Sequence, residues 1–276
     1  MRTINLNNII KLVKTNFNRP SLIFKKKLFF FFNKKIRNRF SPFKLFNFII
    51  YLKQANFGNV DINNILNWDE FIIFYFYWKN KNYYNKILDI GMNIGLHSIV
   101  LKKMKFDVTA IEPDPNHIIV AKQFFKKNKV NIKIIQKAVS DRNGKDKFIR
   151  INDNTTGSCL KGTKSIVYGS VDEFAVKTIC FKEIVNKFDL IKIDCEGGEK
   201  KIFSSTNLND WKNTDAIIEI TDNESRKIIY NLFKKTNFLY SQKIGWRNIK
   251  KISDLPKNYK EGSVFLSSKR SFDMFM

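Results

Sequence analysis

From residue 86 onward the chain alternates short apolar runs with amphipathic stretches, joined by brief polar turns. The runs KILDIG (86–91), DVTAIEP (107–113), NIKIIQKAVS (131–140), DLIKID (189–194) and AIIEI (216–220) are rich in isoleucine, leucine and valine. Such runs suit strands covered on both faces. The stretches between them predict helices over roughly 94–104, 115–127 and 223–236, and another beginning near Gly197. Strand and helix in alternation, with short connections, predict an α/β fold with a mostly parallel sheet and helices on both faces. DRNG (141–144) reads as a turn, and KFIRIN (147–152) with the stretch near 171–180 as an inserted hairpin or extra strands. FKEIVNKF (181–188) predicts a short helix, and FLYSQKIG (238–245) with SVFLSS (263–268) a late antiparallel pair. No internal repeat is present.

Upstream the pattern changes. FIIFYFYW (71–78) is apolar nearly all round, within a helix predicted over 61–80. Asp61 is its candidate cap, and Asp69 and Glu70 suit its early turns. A buried strand is the competing reading, because periodicity does not separate the two in so short a run. Residues 1–60 are basic and aromatic and are broken by Pro20 and Pro42. They are expected to form a helical appendage (1–60) on a main domain (61–276). The piece SLIFKKKLFFFFNKKIRNRF (21–40) leaves three readings open. It is a helix packed on the main domain, a peripheral contact with an anionic membrane, or a basic–aromatic surface for single-stranded nucleic acid.

The chemistry concentrates in ILDIGMNIGLHS (87–98), a strand, turn and helix start. Ligands of open parallel sheets sit beyond the carboxyl ends of the strands. The spacing is Asp-x-Gly-x-x-x-Gly, so an acid, Asp89, precedes the first glycine. Gly91 and Gly95 clear room for a ligand. A pyrophosphate would be repelled by that acid, whereas a cationic ligand suits it. S-adenosyl-L-methionine carries a sulfonium and an ammonium group and no phosphate. Glu112 ends the next strand about twenty residues later, where an acid accepts both hydroxyls of a ribose, and Asp114 caps the following helix. By analogy with such folds, Ala138 in AVSD (138–141) lines an adenine pocket. In IKIDCEGGE (191–199), Asp194, Glu196 and Glu199 stand at the carboxyl end of the sheet's middle. A carboxylate there can take the proton of an acceptor hydroxyl, and Lys192 is placed to pair with an acid. Asp194 as a helix cap and Glu199 as a solvated helix residue are the plainer alternatives.

Composition adds bounds. Among 276 residues, 50 Lys and Arg face 25 Asp and Glu, a formal net charge of +25. That excess attracts nucleic acid, anionic membrane or acidic glycans. The abundance of Lys, Asn, Ile and Phe also follows from A/T-rich codons. Cys159, Cys180 and Cys195 lack Cys-x-x-Cys spacing, which points to reduced thiols and a cytoplasmic setting. Two histidines, His97 and His117, are too few for a histidine metal centre, so no metal is expected. No segment reaches the roughly 18 uninterrupted apolar residues of a membrane span.

LDIGMNIGLHS, AIEPDP (110–115), AVSD followed by Gly144, TTGSCL (155–160) and DLIKIDCEGGE (189–199) occur in an order and spacing that resemble the FkbM family of S-adenosylmethionine-dependent methyltransferases. The resemblance covers 86–220. It implies a Rossmann-like class I methyltransferase sheet of seven strands, mostly parallel, with the last pair antiparallel. It implies cofactor contacts from Asp89, Gly91, Asn93, Gly95 and Glu112, and a position near the methyl group for Asp194 and Glu196. Family members are typically O-methyltransferases acting on sugar or polyketide hydroxyls, so the expected acceptor is a sugar, glycan or glycolipid hydroxyl. Met92 stands where the family has a small alanine, Phe181-Lys182 where it has Leu-Asp, and Cys195 where it has valine. The Asn/Asp-Pro-Pro-aromatic motif of base methylation is missing after Asp194, and Cys195 lacks the Pro-Cys context of a cytosine-attacking nucleophile. The other class in play is a catalytically silent module of the same fold, binding membrane or nucleic acid through its basic N-terminus.

Overall fold

The structure is a computed structural model and describes residues 4–5, 7, 41–52, 68–164, 167–236 and 238–268. Its strands in chain order are β1 (Ile4–Asn5), β2 (Ser41–Leu45), β3 (Phe48–Leu52), β4 (Lys86–Ile90), β5 (Asp107–Ile111), β6 (Lys133–Ile135), β7 (Ala138–Ser140), β8 (Gly144–Ile151), β9 (Cys159–Leu160), β10 (Val171–Cys180), β11 (Leu190–Ile193), β12 (Asp215–Glu219), β13 (Leu239–Ser241), β14 (Arg247–Asn248) and β15 (Ser263–Leu266). The helices are α1 (Trp68–Lys79), α2 (Leu96–Lys103), α3 (Pro115–Asn128), α4 (Glu199–Ser204) and α5 (Asn223–Phe233).

The large sheet has eight strands in the order β14-β13-β15-β12-β11-β4-β5-β6. β12, β11, β4, β5 and β6 run parallel, and β15, β13 and β14 close the far side antiparallel. Seven strands were expected. The eighth is the two-residue β14, whose polar sequence carries no alternation to announce it. The chain leaves β4 toward β5 and β6, then returns to β11 on β4's other flank. That reversal opens a crevice at the carboxyl ends of β4 and β11.

The expected strand 131–140 is two strands. β6 ends the large sheet, and β7 pairs with β10 in a second sheet of order β7-β10-β8-β9. The inserted hairpin is the antiparallel pair β8 and β10, aligned from Gly144–Thr178 to Ile151–Val171. FKEIVNKF forms two 3-10 turns instead of one helix, broken at Ile184. Phe181 and Val185 are both fully buried there, so packing outweighs helical continuity.

The helix reading of FIIFYFYW holds. Residues 71–77 of α1 are all buried, which a helix wrapped by protein on several sides demands. Asp61 and the first residues of that predicted helix lie outside the described residues, as does 21–40. The described part of the appendage corrects the helical expectation, because 41–52 is a β-hairpin. Phe43, Leu45, Ile50 and Leu52 are buried while Lys44, Ile49 and Tyr51 between them are more exposed, and a period of two suits strands. These four side chains join one core with α1, α2 and α3. Met92 is buried in that same core, so the bulk that replaces alanine turns away from the ligand side.

Candidate active site

The strand ends of β4, β5 and β11 and the small sheet enclose a cleft. Its walls include Gly91, Asn93, Glu112, Ala138, Asp194 and Glu196, six of the eight residues expected to form the site. Asp89 and Gly95 stand outside that wall. Asp89 is fully buried one layer below, where its Oδ2 accepts a 2.6 Å hydrogen bond from Ser98 and its Oδ1 faces Lys192 Nζ at 3.8 Å. Gly95 begins α2 with φ 83, and a Cβ there would overlap the Phe125 ring. Its part is to let α2 approach α3. At Gly91 (φ 73) a Cβ would collide with the carbonyl of Asp194, so any side chain would prise β4 from β11.

Glu112 is held as a pair of acceptors. Its Oε2 accepts from Asn93 N at 2.8 Å and its Oε1 from Asp114 N at 2.9 Å. Each carboxylate oxygen keeps a further lone pair for a ribose hydroxyl. Asn93 sits at φ 54 on the wall, and its side-chain Oδ1 accepts no hydrogen bond among the described residues. An unpaired buried acceptor beside the glycine turn fits a ligand ammonium group. The residues present therefore fit S-adenosylmethionine: acceptors for its ribose and its ammonium, and apolar Ala138, Val139 and Phe148 for its base.

His117 also lines the cleft, 3.6 Å from Glu112 Oε1 and 3.1 Å from Thr155 Oγ1. Burial lowers its basicity, but Glu112 and Asp114 outweigh this and raise its pKa above the ordinary histidine value. In the sequence pattern His117 weighs only against a metal centre. The available signal was its place in the first turn of the helix that follows Glu112. Asp114 caps that helix, accepting from Asn116 N at 2.8 Å. Arg150 from β8 binds both Asp114 oxygens at 2.7 Å and so ties the inserted sheet to the cleft.

At the β11 side, Lys192 Nζ lies 3.1 Å from Asp194 Oδ2. Burial lowers its pKa, but Asp194, Asp89 and Glu70 raise it more, so Lys192 remains an ammonium ion. Glu196 pairs with Lys164, which also donates to Gly157 O at 2.8 Å. Ligand atoms of Asp194, Glu196 and Glu219 lie within 4.8 Å of one another, the one such grouping among the described residues. Lys192 and Lys164 pair with two of the three. Burial, with repulsion from Asp194, Glu196 and Glu70, pushes Glu219 well above the usual carboxylate range. Cys195 is likewise raised well above a normal thiol by burial and by Glu199, so it stays a neutral thiol and a poor nucleophile. Glu199 is fully buried beneath this loop, neither solvated nor on the cleft wall. Burial raises it to about 7 against the lowering effect of hydrogen bonds from Thr221 and Cys195. His97 is buried too, between Tyr77 Oη at 3.1 Å and Glu70.

The profile of the methyltransferase FkbM domain matches residues 89–240, more than half of the chain. The chain belongs to the FkbM methyltransferase family. It carries the methyltransferase domain of that family, and its sequence matches none of the curated proteins. Among solved structures the methyltransferase is similar to monomeric WbdD, at 10% identity and a TM-score of 0.42, over 75% of this chain and 42% of that one. It is also similar to the tRNA (uracil-54, C5)-methyltransferase of Pyrococcus abyssi, solved with S-adenosyl-L-homocysteine, at 14% identity and 0.38, over 71% and 38%. A third is a putative caffeoyl-CoA O-methyltransferase from Staphylococcus aureus, at 15% identity and 0.38, over 70% and 79%. The methyltransferase thus spans less than half the length of the first two.

Proposed function

We propose that the methyltransferase transfers its methyl group to a hydroxyl of a sugar, glycan or glycolipid precursor. Bound S-adenosylmethionine supplies an electrophilic methyl carbon on a sulfonium. The chain's own residues have two tasks: to align an acceptor oxygen with that carbon and to take up its proton. The observation that carries the reading is the arrangement of Asp194 and Glu196 on the cleft wall at the end of β11, with Glu112 across β4 at the end of β5. Glu112 and Asn93 hold the ribose and ammonium side. Asp194 accepts the hydroxyl proton at a carboxylate oxygen, and Lys192 fixes the carboxylate's orientation from 3.1 Å. The neutral Cys195 thiol speaks against covalent attack on a base. The small sheet, through Leu160 and the 155–158 turn, forms the wall against which an acceptor would rest.

The test is transfer of labelled methyl from S-adenosylmethionine to fractionated cell-wall and lipid-linked glycans. Label is expected in a glycan fraction and is expected to fall at least about a hundredfold with Asp194→Asn, the range for a lost general base. Label found only in nucleic acid or protein would overturn the reading.

A further inference from the structure

Glu199 opens α4, where an acidic side chain is ordinarily solvated, yet it is fully buried. Its carboxylate gathers several donors of the loop before it. It accepts from Gly197 N at 2.9 Å, from Cys195 N at 3.1 Å and from the Cys195 thiol at 3.4 Å. A fourth donor, Thr221 Oγ1 at 2.9 Å, comes from the connection between β12 and α5. Between the two backbone donors stands Glu196, at φ 52. A non-glycine residue in the left-handed region is strained and persists only where its surroundings enforce it. Here the enforcing group is one buried carboxyl group on which the N–H groups either side of Glu196 converge. The side chain of Glu196 leaves this turn on the opposite side, on the cleft wall beside Asp194 and against Lys164.

We infer that Glu199 is a positioning residue for methyl transfer: its carboxylate sets the left-handed turn that aims Glu196 at the sulfonium end of the cleft. This rests on the reading that Glu196 faces the sulfonium. Neither glutamine nor aspartate can replace it. Glutamine puts an NH2 donor against the N–H groups of the loop, and aspartate is one methylene too short to reach both strand ends.

Calorimetric titration of the full chain with S-adenosylmethionine and with S-adenosylhomocysteine, at about pH 8, needs no acceptor. The first ligand carries the sulfonium charge and the second does not, so the ratio of their affinities reads the field of Glu196. Glu196→Gln is expected to lower the preference for the sulfonium ligand roughly fivefold, the scale of one partly screened charge pair. Glu199→Gln is expected to lower it by a similar factor with S-adenosylhomocysteine affinity unchanged. The double variant is expected to lose no more than either single one, since both act through the same carboxylate. A generally damaged fold would weaken both ligands and add to the effect of Glu196→Gln. Should Glu199→Gln fail to fold, Thr221→Val removes one of the four donors and is expected to show a smaller loss in the same direction. An unchanged preference in Glu196→Gln would sink the assignment of Glu196 and the inference with it. A changed preference in Glu196→Gln alongside an unchanged one in Glu199→Gln, or in Thr221→Val where that variant stands in, would sink the inference alone.

Discussion

At the scale of single residues, the cleft is a set of acids given different tasks by their partners. Glu112 receives two backbone N–H groups, Asp194 and Glu196 each receive a lysine, and Glu199 receives the loop itself. Glu112→Ala removes the proposed ribose acceptors and leaves Asn93 N and Asp114 N without their partner. Loss of even one charge-assisted hydrogen bond of about 1.5–3 kcal/mol predicts at least a tenfold rise in the S-adenosylmethionine dissociation constant. Calorimetry checks this, and an unchanged affinity would refute the ribose assignment. Most of these acids were legible from type and position, because strand ends place residues predictably. Two roles were not. Glu199 looks solvated in any helix-start pattern, since burial depends on what covers it. Asp89 reads as a cleft residue, and the structure shows it fully buried, bonded to Ser98 and facing Lys192 at 3.8 Å.

At the scale of elements, the informative joint is between β8 and α3. Arg150 reaches from the inserted hairpin to the cap of the helix behind Glu112, and Asp114 is fully buried while the Arg150 side chain is 13% exposed. Burial would raise the Asp114 pKa, but Arg150, His117 and Asn116 hold it below the usual carboxylate value. Removing one partner of such a pair leaves a buried charge uncompensated, so Arg150→Met is predicted to cost about 3 kcal/mol at neutral pH. The sign with pH follows from the depressed value. The pair's contribution is present above the unfolded Asp114 pKa of 3.8 and is lost as pH falls through the folded value. Urea melts of both proteins should therefore converge in acid, and a gap that stays constant down to about pH 2 would rule the pair out as its source. Sequence patterns reveal that a hairpin is inserted after Ser140. They do not reveal that β7 leaves the large sheet to join it, because apolar runs look alike in either sheet.

At the scale of the whole molecule, the hairpin 41–52 and the domain share one core, with Phe43, Leu45, Ile50 and Leu52 buried against the helices. Deleting all of 1–60 would thus strip core residues as well as the basic stretch. No helix of the described residues is long and apolar enough to cross a membrane. We propose that 21–40, with its interleaved lysines and phenylalanines, docks on an anionic leaflet. Deleting 8–40 while keeping the hairpin is then expected to abolish flotation with vesicles of phosphatidylglycerol and phosphatidylcholine without lowering the melting temperature. Retained flotation would end that proposal.

The order of strands and helices, the glycine turn and the acids at the strand ends were determined by the chain itself, because each rests on spacing along a single element. Tertiary structure alone decided which acid faces the cleft, which is buried beneath it and which lysine it meets. Those depend on residues far apart in sequence, such as Lys164 with Glu196 or Arg150 with Asp114, whose approach is set by how two sheets pack and by nothing local.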